Sequence, residues 1–397
     1  MTTSRQRLVA AALVEAVRRP AEDPRDESRA ALAALTPDLD PLLVQAARFH
    51  RISPAVHIAL QRECGRVVPE LQEDHAEQRR KHLLSLIELE RLTPVLEDTG
   101  VAWVAFKGPV LASTVYERPD LRSYNDLDIL VDPCRLGAVL KALDGHGAQL
   151  LDRNWKRIAR DRRGELTLLL PHGTPLDLHW SLINDARIRR QIRLDPQQML
   201  GRRLYRKVGR PEVPVLEPHD RVIHLAVHAV LSGGHRLLWL ADMDRALTFC
   251  DPGVLAERTR ETGTGLLVAA ALERCNRVLG TRVPPIDEGR LWRALLRRVD
   301  AARSPVLAFT GPSGQSIVRA TRGSTAASYA ELGVQCGRYF RARFNRVPVV
   351  NPLFEDVDGG ERDRFLHTLD GGDETSEKAR MSAETNPEPL GDNRHRP

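Results

Sequence analysis

Two aspartates stand two residues apart in the segment YNDLDILV, where Asp126 and Asp128 open a β-rich apolar run. Because side chains alternate along a strand, both carboxylates belong to one face, and Leu127 and Ile129 belong to the other. Neighbouring carboxylates raise each other's pKa unless a cation compensates them, and magnesium suits oxygen ligands beside phosphates. The pattern therefore indicates a metal site that acts on a phosphate-bearing molecule.

A third carboxylate follows in PLDLHW, where Asp177 lies between Leu176 and Leu178. On a neighbouring strand, this alternation would place Asp177 beside the first pair. Three carboxylates can hold two metal ions roughly 3.5–4 Å apart, which serve opposite ends of an in-line displacement at phosphorus. We predict Asp126, Asp128 and Asp177 as catalytic metal ligands, with Asp177 helping to deprotonate the nucleophile. A D-x-D pair by itself also occurs at solvated strand ends, so the spacing alone does not decide.

The segment AFKGPVLAS, upstream of the aspartates, has the features of a phosphate site. Gly108 stands between a predicted strand and a predicted helix, where free backbone N–H groups and the helix dipole favour phosphate. Lys107 adds a point charge, and Arg122 can clamp a phosphate through two hydrogen bonds. A turn glycine, a solvated lysine and a surface arginine are the ordinary alternatives for these residues, and the order of the elements supports the prediction.

Several histidines and two further aspartates are weaker candidates. His179 shares the strand face of the third aspartate and is a candidate for supporting the metal ligands or binding the acceptor. His224 and His228 are four residues apart on a predicted helix, but they lack the HExxH order of zinc enzymes, so we interpret them as structural or substrate-contacting. Asp242 and Asp244 repeat the two-residue spacing on a predicted helix, where they diverge by about 200°. They are poorly placed to share a metal, and we expect Asp242 to face the cleft.

Hydrophobic periodicity predicts the elements that position these residues. Apolar residues recur at spacings of three and four over residues 1–98, which predicts a helical lobe ending in an unusually long helix. Residues 99–183 predict a core with a mixed sheet and helices, its strands in VAWVAF, LDILV, RNWKRIAR, ELTLLL and PLDLHW. Helical periodicity returns over residues 184–350, and residues 351–397 have the composition of a disordered tail. The expected fold class is α+β, with helical lobes before and after the core.

Composition excludes several classes of protein. The chain has 397 residues, a formal net charge of +6 and five widely spaced cysteines without a CxxC pair. These cysteines predict free thiols, and neither a disulfide framework nor a zinc site. No apolar stretch reaches the roughly 20 residues that span a bilayer, so we expect a cytoplasmic protein with no membrane partner. The basic residues are dispersed, and the run RIRRQIRL lacks interleaved aromatics, so a nucleic-acid partner is possible but not favoured.

The motifs together resemble a known family. The stretch FKGPVLASTVYERPDLRSYNDLDILV followed by PLDLHW is similar to the DNA polymerase β-like nucleotidyltransferases. It resembles more narrowly the bacterial uncharacterised nucleotidyltransferases, which have an LKG, R, D-x-D and D-x-H-W pattern. The resemblance covers roughly residues 40 to 250. The superfamily places a serine after the turn glycine, whereas this chain has Pro109, so phosphate binding is expected to fall to backbone amides, Lys107 and Arg122.

The resemblance implies an enzyme that transfers a nucleoside monophosphate from a nucleoside triphosphate to a hydroxyl group, with Mg²⁺ as cofactor. Similar proteins are encoded near pathways for ribosomally made peptides, including lasso peptides, and for surface polysaccharides. A peptide or small-molecule acceptor is therefore expected. Two alternatives stay open: a tRNA or protein acceptor, as in toxin-like nucleotidyltransferases, and a module that binds nucleotide without turnover.

Overall fold

A mixed sheet of seven strands organises the computed structural model. The structure describes residues 3–19, 30–284, 286, 288–311, 314–342, 353–355, 357 and 360–370. The strands are β1 (Trp103–Ala105), β2 (Leu127–Val131), β3 (Gln149–Leu150), β4 (Glu165–Leu169), β5 (Pro175–His179), β6 (Leu204–Lys207) and β7 (Glu212–Val215). Their order across the sheet is β3-β4-β5-β2-β1-β7-β6.

Helices precede, interrupt and follow the sheet, which confirms the predicted α+β class. Before the sheet lie α1 (Ser4–Val17), α2 (Ala30–Ala33), α3 (Asp40–His50), α4 (Ser53–Cys64) and α5 (Pro69–Glu97). Between strands lie α6 (Gly108–Thr114), α7 (Leu136–Gly145), α8 (Trp155–Asp161), α9 (Ala186–Arg189) and α10 (Pro196–Gly201). After the sheet come α11 (Pro218–Leu231), α12 (Leu237–Ala246), α13 (Pro252–Thr262), α14 (Gly265–Leu279), α15 (Arg290–Ala302), α16 (Gln315–Arg319), α17 (Thr325–Ala342) and α18 (Glu361–Leu369). Short 3-10 helices occupy Pro37–Leu39, Pro119–Leu121, Pro133–Arg135, Leu247–Phe249 and Pro305–Thr310.

The strand pairing sets the positions of the carboxylates. Strands β2 and β5 run parallel, whereas β1 pairs antiparallel with β2 and β4 pairs antiparallel with β5. Strand β7 lies parallel to β1 and forms an antiparallel pair with β6. A parallel pair needs a crossover connection, and here α7, β3, α8 and β4 provide it between β2 and β5. The crossover makes residues some 50 positions apart direct neighbours in the sheet.

The two faces of the sheet have different surroundings. Ile129 and Leu178 are fully buried on the face that packs against α5 and α7. Val104 and Leu130 belong to the opposite face, whose apolar residues join the core of helices α11, α12 and α14. The aspartates of β2 and β5 alternate with Ile129 and Leu178 along their strands. They therefore lie on the face that α11, α12 and α14 cover.

The helices before and after the sheet share one hydrophobic core. Leu13 of α1 and Val227 of α11 belong to the same cluster of buried residues. An ion pair also joins the two parts of the chain, with Arg19 Nε 2.7 Å from Asp244 Oδ2. Asp244 is buried, whereas the side chain of Arg19 is 39 % exposed, so solvent reaches the arginine end of this pair. The two predicted helical lobes thus pack together as one helical body against the sheet.

Two local predictions in the centre of the chain are wrong. The run RNWKRIAR, predicted as a strand, contains helix α8, because the Asn154 side chain accepts a hydrogen bond from the Arg157 amide and caps it. Strands β6 and β7 lie in a region predicted to be helical throughout. β6 is mostly exposed and polar, so it lacks the alternation that marks a strand.

The prediction of a disordered tail over residues 351–397 is wrong for α18, which is an ordered helix. Phe365 of α18 is buried, and its ring lies 6.2 Å from that of Trp155 and 5.9 Å from that of Trp180. Tertiary packing on these two tryptophans provides the apolar burial that a short polar helix lacks by itself. The rest of this prediction, residues 371–397, lies outside the described residues.

All five cysteines are free thiols, as predicted. Within the described ranges, none of the helices combines the length and apolarity needed to cross a membrane.

Candidate active site

Two of the predicted aspartates are paired across the centre of the sheet. Asp128 of β2 and Asp177 of β5 are Cα partners on parallel strands, so their side chains lie on the same face. Their neighbours Leu127 and Leu176 are partners as well, and both are buried on the other face. Alternation along two strands in this register brings the carboxylates together, as the sequence predicts.

Asp128 is the most enclosed of the three carboxylates and has two polar neighbours. Lys107 Nζ donates to Asp128 Oδ1 at 3.0 Å, and His179 Nε2 lies 3.3 Å from the same oxygen. Burial would raise the pKa of Asp128, but the charge of Lys107 and the hydrogen bond from His179 outweigh it and hold that pKa well below its usual range. Asp128 is therefore a carboxylate at every physiological pH.

Asp177 differs from Asp128 because no cation contacts it among the described residues. Thr167 Oγ1 donates to Asp177 Oδ1 at 3.0 Å, and the two residues are partners in the β4–β5 register. Burial, followed by the negative charge of Asp128, raises the pKa of Asp177 to about 6. The two paired aspartates thus have opposite pKa shifts, the pattern expected when one carboxylate binds a cation and the other handles a proton.

Asp126 immediately precedes β2 and lines the same cavity. Burial raises its pKa, and the charge of Asp128 adds to this effect, whereas Lys107 and Arg122 lower it. Asp126 is therefore a third acid in a site already crowded with negative charge. A cation between the carboxylates would relieve this repulsion.

Three of the predicted residues have the geometry of a metal site. Among the described residues, one oxygen each of Asp128 and Asp177 and one ring nitrogen of His179 all lie within 4.8 Å of one another. Two carboxylates and an imidazole suit a divalent cation, and Asp126 lies outside this group of three. The residues present therefore fit a metal. The group contains His179, whereas the ligands predicted from the sequence were the three aspartates.

Gly108 begins α6 in a backbone conformation that suits glycine. Its φ is +50°, and a Cβ at this position would lie 2.6 Å from the carbonyl oxygen of Asp126. That distance is too short for any real Cβ contact, and the oxygen belongs to backbone that cannot swing away. The absence of a side chain therefore lets the Lys107–Gly108 turn lie against the strand end that carries Asp126.

Arg122 is buried and bound within the protein. Its Nε and Nη2 donate to Asp242 Oδ1 and Oδ2 at 2.8 and 2.9 Å, and its Nη1 donates to the Gly108 carbonyl at 3.3 Å. Tyr116 donates its hydroxyl to Asp242 at 2.6 Å. Arg122 lines the cavity, but a bidentate clamp on phosphate would require it to leave Asp242. Asp242 faces the cleft as expected and serves as the counter-ion of Arg122.

The sequence analysis missed two residues of the site on β4. Thr167 donates to Asp177, and Glu165 Oε2 lies 3.3 Å from His179 Nδ1. Both are partners of β5 residues in the antiparallel β4–β5 register. Alternation within ELTLLL would have put Glu165 and Thr167 on one face, but nothing in the sequence indicated which strand lies beside β5.

A cavity of about 350 Å³ joins these residues, a volume typical of small-ligand sites. One wall is the end of the sheet with the three aspartates, Lys107, Gly108 and His179. The opposite wall is formed by α11 and α12, with His224, His228 and Trp239. A larger hollow of about 980 Å³ lies beside α18 and the basic run near residues 187–194. Asp126, Asp128 and Asp177 do not line it.

Comparison with known proteins agrees with this site. A family model described as an uncharacterised nucleotidyltransferase matches residues 38–280, which is more than half of the 397-residue chain. The chain belongs to this family. Membership in the nucleotidyltransferase family makes the chain an enzyme of the transferase class, as predicted. The matched span contains every site residue described above, from Lys107 to Asp242. A search of curated proteins gave no match.

Proposed function

We propose that this nucleotidyltransferase moves a nucleoside monophosphate from a nucleoside triphosphate to a hydroxyl group of a peptide or small-molecule acceptor, with release of pyrophosphate. One observation carries the proposal: Asp128 and Asp177 are register partners on parallel strands, at a cavity that also contains Asp126 and Lys107. The mixed sheet with paired aspartates on β2 and β5 also supports the DNA polymerase β-like assignment.

In this proposal Asp126, Asp128 and Asp177 hold magnesium. Bound magnesium would lower the pKa of the attacking hydroxyl and neutralise charge on the pyrophosphate that leaves. Magnesium prefers oxygen ligands, so His179 is assigned a supporting role in which its Nε2 orients Asp128 Oδ1 at 3.3 Å. Glu165 lies on the other side of that ring, with its Oε2 3.3 Å from His179 Nδ1.

Asp177 accepts the proton of the acceptor hydroxyl. In the metal-free protein its pKa is about 6, so this carboxylate is more basic than an ordinary aspartate. Thr167 restricts its rotation through the hydrogen bond to Oδ1, which leaves Oδ2 for the substrate side. The proposal therefore has the base on β5 and the strongest cation ligand on β2.

Lys107 and Gly108 bind the triphosphate. Lys107 Nζ lies 3.0 Å from Asp128, at the edge of the metal group, where an ammonium can also reach a phosphate oxygen. Gly108 brings the backbone of this turn against the strand end that carries Asp126. Arg122 has a positioning role, because it binds the Gly108 carbonyl while Asp242 neutralises its charge.

The acceptor is proposed to be a peptide or a small molecule because the cavity has a volume of about 350 Å³ and is bounded on one side by α11 and α12. A hydroxyl on a flexible peptide segment or a small metabolite can enter such a space. The resemblance to proteins encoded beside lasso-peptide and polysaccharide pathways points to natural-product biosynthesis as the setting.

The test is release of pyrophosphate from each of the four ribonucleoside triphosphates, with magnesium and a cell-extract acceptor pool. The parent protein is compared with the double variant Asp126→Asn plus Asp128→Asn, and Asp161→Asn, at an exposed position at the end of α8, is the matched control. Release that the double variant abolishes and Asp161→Asn preserves supports the proposal. Equal release from the parent and the double variant would contradict the assignment of these carboxylates.

A further inference from the structure

His224 on α11 is buried in the cavity wall without a hydrogen-bond partner. It is 2 % exposed, and neither Nδ1 nor Nε2 has a partner in the described structure. Its ring packs edge-on against Phe106, with 4.9 Å between the ring centroids. Phe106 directly precedes Lys107, so His224 lies beside the strand end that leads to the residues assigned to the triphosphate, and it lines the same cavity.

Two unpaired nitrogens in one buried ring indicate a missing ligand. Most buried polar atoms in proteins are hydrogen-bonded, because removal from water without a replacement bond costs about 1–3 kcal/mol for each group. His224 is among the residues that line this cavity. A bound molecule can therefore supply the partners that the protein does not.

The chemistry of the ring defines what that molecule presents. Burial lowers the pKa of His224 well below its usual value, and the charge of Lys107 lowers it further, so the imidazole is neutral. A neutral imidazole has one N–H donor and one acceptor nitrogen. A phosphate group at neutral pH offers chiefly acceptors, whereas a hydroxyl group can donate and accept. A hydroxyl therefore matches His224 better than a phosphate does.

The neighbours of His224 continue the same wall towards an aromatic surface. His228 follows one turn later on α11, with 6.1 Å between the two ring centroids. Trp239 of α12 lies next, 5.7 Å from His228, and all three residues line the cavity. Burial lowers the pKa of His228 to about 3, so its imidazole is neutral, and the guanidinium of Arg236 lies 5.3 Å from the centre of the Trp239 ring. The two neutral imidazoles suit a sugar, and the neighbouring indole suits the flat base attached to it.

We propose that the wall formed by His224, His228 and Trp239 binds the nucleoside part of the triphosphate, with His224 hydrogen-bonded to a ribose hydroxyl. This inference rests on the proposed function and names the subsite for its nucleotide. The ribose is chosen over the acceptor hydroxyl because His224 packs against Phe106, the residue before Lys107, and the Lys107–Gly108 turn is where the triphosphate is expected.

The test compares binding of a ribonucleoside triphosphate with that of its 2′-deoxy and 3′-deoxy analogues. Titration calorimetry with magnesium and no acceptor is run on the parent, His224→Phe and His224→Asn, using the triphosphate that the parent binds most tightly. The parent should prefer the ribonucleotide over at least one deoxy analogue by about 10-fold, the effect of one or two hydrogen bonds. His224→Phe should bind all three alike, and His224→Asn should restore part of the preference.

His57→Phe is the matched control, because His57 is also buried with an unpaired Nδ1 but does not line this cavity. It should retain the ribose preference. Equal binding of all three nucleotides by the parent, or a preference that survives in His224→Phe, overturns the inference and leaves the proposed transfer reaction standing. A parent protein that binds none of the four triphosphates overturns both. Thermal unfolding confirms that each variant is folded, and His224→Asn carries the test if His224→Phe is not.

Discussion

Asp128 and Asp177 lie side by side on parallel strands, yet their pKa values shift in opposite directions. Lys107 and His179 contact Asp128, whereas the hydrogen bond to Asp177 within the described part of the chain comes from the hydroxyl of Thr167. The sheet thus brings two chemically identical side chains together, and their unequal neighbours give them different roles. The predictions below follow from this asymmetry and from the elements that maintain it.

The raised pKa of Asp177 predicts that the metal-free protein loses stability as the pH rises from about 4 to about 6. The folded state binds this proton more tightly than the unfolded chain, so the stabilisation is complete below the ordinary aspartate pKa of 3.8 and disappears as the pH passes about 6. Asp177→Asn removes this ionisation and should stabilise the metal-free protein at pH 7 by about 1–2 kcal/mol. Urea denaturation at pH 4.5 and pH 7 measures the effect. Asp161→Asn is the control, and a variant that gains nothing at pH 7 would contradict the assignment.

Gly108→Ala should abolish nucleotide binding, because the added Cβ would collide with the Asp126 carbonyl at 2.6 Å and displace the Lys107 turn. Gly100→Ala is the matched control, since Gly100 also has a positive φ of +64° but open space around its Cβ position. Both variants have backbone strain of about 1–3 kcal/mol, so both should lose some thermal stability. Only Gly108→Ala should lose nucleotide affinity in a titration with magnesium. Equal affinities in the two variants would show that the close approach is unimportant.

Asp242→Asn should destabilise the protein strongly, because it leaves the buried guanidinium of Arg122 without its counter-charge. Loss of one partner of a buried ion pair typically costs about 3–5 kcal/mol. Glu77→Gln breaks the exposed pair with Arg80 and should leave the unfolding midpoint nearly unchanged. Thermal unfolding followed by circular dichroism compares the variants. Similar midpoints would mean that Arg122 has a different role.

Phe365→Ala should lower the stability of the sheet domain by about 2–4 kcal/mol, since Phe365 packs against Trp155 and Trp180. The emission of these tryptophans should also change when the ring is removed. His367→Ala, on the same helix, is the control and should change neither property. An unchanged emission spectrum and midpoint in Phe365→Ala would mean that α18 does not pack on the sheet in solution.

Part of the site was predictable from the sequence because it depends on local alternation. The spacing of Asp126 and Asp128, and the placement of Asp177 between two leucines, put the carboxylates on one face of their strands. The Lys107–Gly108 turn was predictable for a similar reason, since it joins a short apolar strand to a helix. Each of these predictions needed only the period of one element and the residue types within it.

The pairing of Arg122 with Asp242 was not predictable, because 120 residues separate them and no periodicity relates a loop to a distant helix. The partners of β5 on β4 were hidden for the same reason. Helix α8 depends on a capping side chain, and helix α18 depends on tertiary packing. Neither cause produces a long periodic pattern of apolar residues in the sequence. Contacts between distant parts of the chain therefore account for most of what the sequence did not reveal.

The most direct test of the transfer chemistry follows a radioactive phosphate from the nucleoside triphosphate onto the acceptor. The protein is incubated with magnesium, the cell-extract pool and the triphosphate labelled either at the α- or at the γ-phosphate, beside Asp177→Asn as the inactive comparison. We expect the α-label to appear on an acceptor in the parent reaction only, and the γ-label to leave as pyrophosphate. Transfer of the γ-label to the acceptor, or equal transfer of the α-label by Asp177→Asn, would contradict nucleotidyl transfer at the Asp128–Asp177 pair.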